Sequence, residues 1–123
     1  MPKTIKTDIR NLQERLGFFK IKILNSFPGY LGNDTTAQLE LDGGWLYIKY
    51  HKNDEGNNLF FLIVTTDRFH PRDNFDFAVV LGGHSYKKAK EDFEKLISII
   101  EANAYFGFDY NEMLESIQNN YHK

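Results

Sequence analysis

The sequence predicts an α+β domain: an antiparallel sheet of about five strands with an N-terminal helix before it and two C-terminal helices after it. Three observations predict this class. Residues 59–66, Leu-Phe-Phe-Leu-Ile-Val-Thr-Thr, are apolar at every position up to the threonines. A strand reads that way when both of its faces are covered. Upstream, Ala37, Leu39 and Leu41 alternate with Gln38 and Glu40 ahead of Asp42-Gly43-Gly44, the pattern of a half-buried strand entering a tight hairpin. Downstream of Ser85 the apolar period changes from two to 3.6. Strands in a run followed by helices in a run argue for α+β over a parallel sheet.

Each element has its own signal. Ile5, Ile9, Leu12 and Leu16 fall at helical spacing, with Thr4 placed to cap the N-terminus and Gly17 the C-terminus, so 4–16 reads as a short amphipathic helix. Residues 18–24 switch to strand alternation, with Phe19, Ile21 and Ile23 on one face and Phe18, Lys20, Lys22 and Leu24 on the other. Pro28-Gly29 and Gly32-Asn33-Asp34 mark 25–34 as a loop. Strands at 36–41, 45–51 and 58–66 then form a meander, the last taken as central because of its two apolar faces.

A charged loop at 66–74 leads to a strand at 75–81, which Gly82-Gly83 is expected to end. Ser85 can cap a helix to about Asn103 whose stripe is Ala89, Phe93, Leu96, Ile97, Ile100 and Ala104. Tyr105-Phe106-Gly107-Phe108 is an aromatic corner. Asp109 followed by Glu112 resembles a capping box opening a last helix, with Tyr110, Met113, Leu114, Ile117 and Tyr121 on one side.

A chain of 123 residues has the size of one domain and buries roughly two-thirds of its unfolded surface on folding. The absence of cysteine removes a disulfide framework, a thiolate metal site and a cysteine nucleophile, and fits a reducing, cytoplasmic setting. The N-terminus has no apolar core of signal-peptide length, and no run reaches the ~18 apolar residues of a membrane span, so no membrane partner is expected. Charge is unevenly spread. Residues 1–52 carry eight Lys and Arg against five acids, net +3, and residues 53–123 carry seven against twelve, net −5. Such a split can give a basic and an acidic face, though solvated helix surfaces produce it too. The Lys-, Asn-, Ile-, Phe- and Tyr-rich composition is typical of an AT-rich bacterial or phage genome.

No motif names a reaction or a cofactor, and none is expected to be bound. The weak catalytic candidates are Asp67, His70, Asp73 and His84. The loop Asp67-Arg68-Phe69-His70-Pro71-Arg72-Asp73 sets a histidine between carboxylates, where it can act as a general base, and Arg68 and Arg72 can hold an anion. An ordinary solvated loop has the same composition. Gly82-Gly83-His84-Ser85 precedes a helix but matches neither phosphate-binding fingerprint nor a nucleophile elbow. His51, His70, His84 and His122 show no metal-ligand spacing.

The alternative binding candidate is a sheet face. Trp45, Tyr47 and Lys49 share one face of their strand, and Lys20 and Lys22 extend it if 18–24 lies in the same sheet. Rings that stack on bases beside lysines that neutralise phosphates are the means by which sheet modules hold single strands. The same rings serve equally as core or as a subunit interface.

The favoured reading is therefore a small non-enzymatic protein-interaction domain of inhibitor, immunity or adaptor type. Its acidic half would meet a basic protein partner such as a nucleic-acid-handling enzyme. A single-stranded nucleic-acid binder using Trp45, Tyr47, Lys49, Lys20 and Lys22 is the alternative. A small hydrolase or transferase built on His70 and His84 is the third reading. A homo-oligomer is compatible with all of them.

Overall fold

The computed structural model describes residues 5–16, 21–24, 36–51, 58–71, 73–83 and 85–121. In chain order the elements are α1 (Ile5–Arg10), α2 (Leu12–Arg15), β1 (Ile21–Leu24), β2 (Thr36–Leu41), β3 (Gly44–His51), β4 (Asn58–Thr65), β5 (Phe77–Gly83), α3 (Tyr86–Ala104) and α4 (Tyr110–Tyr121). The class is α+β. The strands lie in the order β1-β2-β3-β4-β5 in one sheet, every neighbouring pair antiparallel. Four strands of six to eight residues carry it, and the four-residue β1 borders them.

The β2–β3 turn sets the phase of this sheet. Leu41 pairs with Gly44, leaving Asp42 and Gly43 as a two-residue connection, and Gly43 adopts φ 100°, which a side chain tolerates poorly. From that turn onward, alternation sends Leu39, Leu46, Ile48, Phe60, Leu62 and Val64 to one face, where they join the helices in the main core. Helix α3 supplies Ala89, Phe93, Leu96, Ile97 and Ile100, and α4 supplies Met113 and Ile117. The rings of Phe60 and Phe93 meet edge to face, 5.8 Å between centroids. The opposite face holds a smaller cluster in which Trp45 and Ala78 pack partly buried against Tyr47 and Ile63.

Polar contacts fasten the ends of the helical layer. Asn58 accepts the Ile5 N–H at 2.9 Å within the interior. Asp8 of α1 accepts the Tyr86 hydroxyl at 2.7 Å and pairs with Lys90 at 3.3 Å. Arg15 forks onto Glu94, with one contact at 2.9 Å, and that guanidinium holds the Glu94 carboxyl below its ordinary range. Ser85 caps α3 through Lys88 N–H at 3.1 Å, and Asp109 caps α4 through Glu112 N–H at 3.1 Å.

Several boundaries differ from the sequence reading, each for a local reason. The N-terminal helix is two pieces meeting at Asn11, a residue whose side chain weakens helix interiors. Its four apolar positions are nonetheless all buried. Thr4, Gly17, 18–20 and the 25–34 loop lie outside the described residues. The middle of the sheet is β3, and β4 lies one strand in from the edge. Strand β5 begins at Phe77 and runs through both glycines, because Phe75 stays in the preceding loop and Gly82, at φ 94°, still pairs with Leu59.

The close approach of α4 to the hairpin yields two expectations. A Cβ on Gly44 would lie 2.2 Å from Tyr110 Cδ1 and 2.9 Å from Thr65 O. Gly44→Ala is expected to lose about 2 kcal/mol or more in urea unfolding, since the backbone oxygen cannot give way. Removing 109–123 strips the buried Tyr110, Met113, Ile117 and Tyr121 from the core. At roughly 1.5–3 kcal/mol per buried side chain, that loss rivals the whole stability of about 5–15 kcal/mol for a typical domain. The truncated chain should show no cooperative melt, and an unchanged melting temperature would mean that α4 is not docked.

Candidate functional site

Three connections gather at one end of the domain. The β2–β3 turn ends β2 there, and Trp45 pairs with Thr65, so the 66–76 connection starts beside it. The α3–α4 corner joins them: Asp42 N–H donates to Phe108 O at 2.8 Å, and Tyr110 N–H donates to Asp42 O at 2.9 Å. The Tyr110 hydroxyl donates to the Asp76 carboxylate, so one side chain ties α4 to the far end of the 66–76 loop. Burial first, then that bond to a carboxylate, push the Tyr110 hydroxyl above its ordinary range.

The corner holds an uncommon backbone. Phe108 N–H returns to Asn103 O at 3.1 Å, closing α3 in the manner of a Schellman turn. Gly107 and Phe108 then take φ 70° and 56° in succession. For a bulky residue that conformation costs on the order of 1–2 kcal/mol. It is held in place by the bond from Asp42 and by packing of the Phe108 ring on the core. The outcome is a turn that projects Tyr105 and Phe106 outward, 91 % and 63 % exposed.

In the 66–76 loop, Asp67 organises the chain. Its Oδ1 accepts the N–H groups of Phe69 and His70 at 3.0 and 3.1 Å, and its Oδ2 accepts Asn74 Nδ2 at 2.9 Å. The bond from Asn74 leads the causes that hold its carboxyl below the usual range. Asp67 also takes the 3.6 Å contact to His70 Nδ1, but with its oxygens committed to the loop it serves as a turn-former. Phe69 and Phe75 emerge from this loop 66 % and 48 % exposed, and the Arg68 guanidinium lies 5.8 Å from the centroid of the Phe69 ring.

The residues singled out in the sequence are thus distributed as follows. Asp67, Arg68, His70 and Asp73 share this loop, and Arg72 falls outside the described residues. His84 is also outside them. Its described neighbours Gly83 and Ser85 adjoin the end of β5 opposite the 66–76 loop. Tyr47 is fully buried and donates its hydroxyl to Arg68 O at 3.1 Å. Lys49 is 5 % exposed with Nζ near Tyr50 O, and Trp45 is half-buried. Lys22 stands opposite Gln38 in the ladder, and Lys20 lies outside the described residues. The face that the single-strand alternative requires to be open therefore has its central ring and its lysine covered. Among the described residues no group of three or more His, Asp or Glu side chains is placed to hold a metal.

What sequence reasoning passed over is the exposure at the corner and in the loop. Tyr105-Phe106-Gly107-Phe108 was legible as an aromatic corner, but helical or strand period says nothing about a side chain outside a regular element. The same connections carry Asp42, Asp67, Asp73, Asp76 and Asp109, all exposed or half-exposed, together with the exposed Arg68. No helix of the described residues is long and apolar enough to cross a membrane. No protein-family model, curated protein or solved structure matches this chain.

The buried phenols make an alkaline signature. Burial pushes the Tyr47 hydroxyl up to about 12 and raises those of Tyr110 and Tyr121 as well. Groups whose folded pKa exceeds the unfolded value of 10.0 contribute stability that is complete below that pH and lost as pH rises through the folded value. Urea midpoints should hold steady to about pH 10 and then fall, with the tyrosinate absorbance of these three residues appearing together with unfolding. A flat profile to pH 12 would show that these hydroxyls are not buried in the folded state.

Proposed function

We propose that this domain is a non-enzymatic protein-binding module that docks a basic protein partner through the end formed by the β2–β3 turn, the 66–76 loop and the α3–α4 corner. The observation that carries the reading is the exposure of Phe69, Phe75, Tyr105 and Phe106 in connections that meet at that end. Of the five large apolar side chains exposed among the described residues, only Val80 lies elsewhere. Single exposed apolar residues are commonplace, whereas several in one region rimmed by charge mark contact surfaces. Aromatic side chains of this kind anchor interfaces because they bury much area for little lost rotamer freedom.

Charge indicates the partner. Five aspartates in or beside these connections outnumber Arg68, the one arginine or lysine described in them, a net negative field that draws in a cationic surface and repels a phosphate backbone. A partner that itself handles nucleic acid offers such a surface, and the module would then occlude it. The single-strand reading has less support, since Tyr47 offers no face to a base and Lys49 is buried rather than open to a phosphate. The hydrolase reading has less as well, because Asp67 is occupied by its own loop. A homo-oligomer remains a further arrangement of the same surface.

Replacing the four rings by serine tests the proposal. Exposed substitutions usually change stability by within about 0.5 kcal/mol each, so the quadruple variant should keep a cooperative melt near that of the parent. In affinity capture from extract of the source cells, a basic protein held by the parent should be lost by the variant. It should be kept by a control variant on the exposed face of α3, Lys87→Ser. A partner held equally by all three proteins, or by none, would defeat the assignment of this surface.

A further inference from the structure

The two borders of the sheet are built differently. Strand β1, at one border among the described residues, has four residues, and a very short edge strand discourages pairing. Strand β5, at the other, runs Phe-Ala-Val-Val-Leu-Gly-Gly with no charge and no proline. The backbone phase of β5 follows from the hairpin turn. With Leu41 and Gly44 bonded across a two-residue connection, alternation makes Trp45–Thr65, Tyr47–Ile63 and Lys49–Phe61 the bonded pairs of β3 and β4, and Val64–Phe77, Leu62–Val79 and Phe60–Leu81 those of β4 and β5. Ala78, Val80 and Gly82 then direct N–H and C=O away from the sheet.

A second observation agrees with this phase. Gly82 N–H is bonded at 2.9 Å to Asp92 of α3, as an outward N–H would be. The carboxylate closes that position and leaves Ala78 and Val80 as the edge pair, with Val80 47 % exposed on the face away from the helices. This stretch continues directly from Phe75 and Asp76 in the proposed docking end.

We infer that the partner supplies an extended segment that adds a sixth strand to β5, antiparallel to it and bonded to the backbone of Ala78 and Val80. The inference rests on the protein-binding reading and names its mode. Unpaired N–H and C=O groups in strand geometry are satisfied together only by another strand. An added antiparallel strand places its C-terminal end beside Asp76, so a lysine or arginine there is favoured, preceded by alternating apolar residues that meet Val80.

The test uses the whole chain and a library of random dodecapeptides displayed on phage. Enriched sequences should carry that alternating pattern with a basic C-terminal end. The best of them, as a synthetic peptide, should shift the amide resonances of Ala78 and Val80 of the ¹⁵N-labelled protein. N-methylation of its alternate backbone nitrogens should weaken binding at least tenfold, which tests the backbone bonds without altering the protein. Val80→Pro, which removes an N–H that the ladder does not use, should keep the melt and lose the peptide. Peptides that instead shift only Phe69, Phe75, Tyr105 and Phe106 would overturn strand addition while leaving the docking end in place. Failure to enrich any peptide would overturn strand addition, and the capture experiment would then decide the docking end separately.

Discussion

The ring of Tyr110 lying on Gly44 is the contact from which the arrangement at the proposed docking end follows. A glycine is required there because any side chain would occupy the space of the ring. The ring in turn carries a hydroxyl to Asp76, and its backbone N–H closes on Asp42. Hairpin, β4–β5 loop and last helix are thereby fixed to one another through a single residue. Contacts on this scale set the positions of whole connections because packed interiors have few alternative arrangements. The exposed aromatic rings owe their common location to that junction, since none of them is held by regular structure of its own.

The two faces of the sheet divide the labour. The helical face buries large aliphatic and aromatic side chains against α1, α3 and α4 and accounts for most of the burial. The other face carries a small cluster around Tyr47 and Ile63, and its buried tyrosine reaches the backbone of the loop that presents Phe69. A hydroxyl in that position donates to the Arg68 carbonyl, so the aromatic pattern that suggested a stacking platform also ties down the neighbouring loop.

Regular elements were legible because period is a property of consecutive residues. Ile5, Ile9, Leu12 and Leu16, the alternation around Leu39, and the stripe from Ala89 to Ile100 each announced the side that is buried. The caps at Ser85 and Asp109 were readable for the same reason. The role of Asp67 was not, because a carboxylate beside a histidine looks alike whether it activates the ring or ties its own turn. Nor was the burial of Lys49, a residue type that composition alone assigns to the surface. Outward projection of Tyr105 and Phe106 depends on consecutive positive φ angles at Gly107 and Phe108, which follow from the distant bond to Asp42.

Strand order that repeats chain order also has a kinetic meaning. Every ladder joins sequence neighbours, so the sheet closes short loops and can form early at small entropic loss. The first helix is the exception. The ties of the two N-terminal helical pieces to α3, Asp8 with Lys90 and Arg15 with Glu94, span 82 and 79 residues and can close only once α3 exists. During synthesis these two ion pairs wait for α3 to emerge, although the Ile5 N–H can already meet Asn58 of β4. The helical layer is thus closed from the C-terminal side, and the interval before α3 and α4 dock is when the sheet's apolar face is most open to association with other chains.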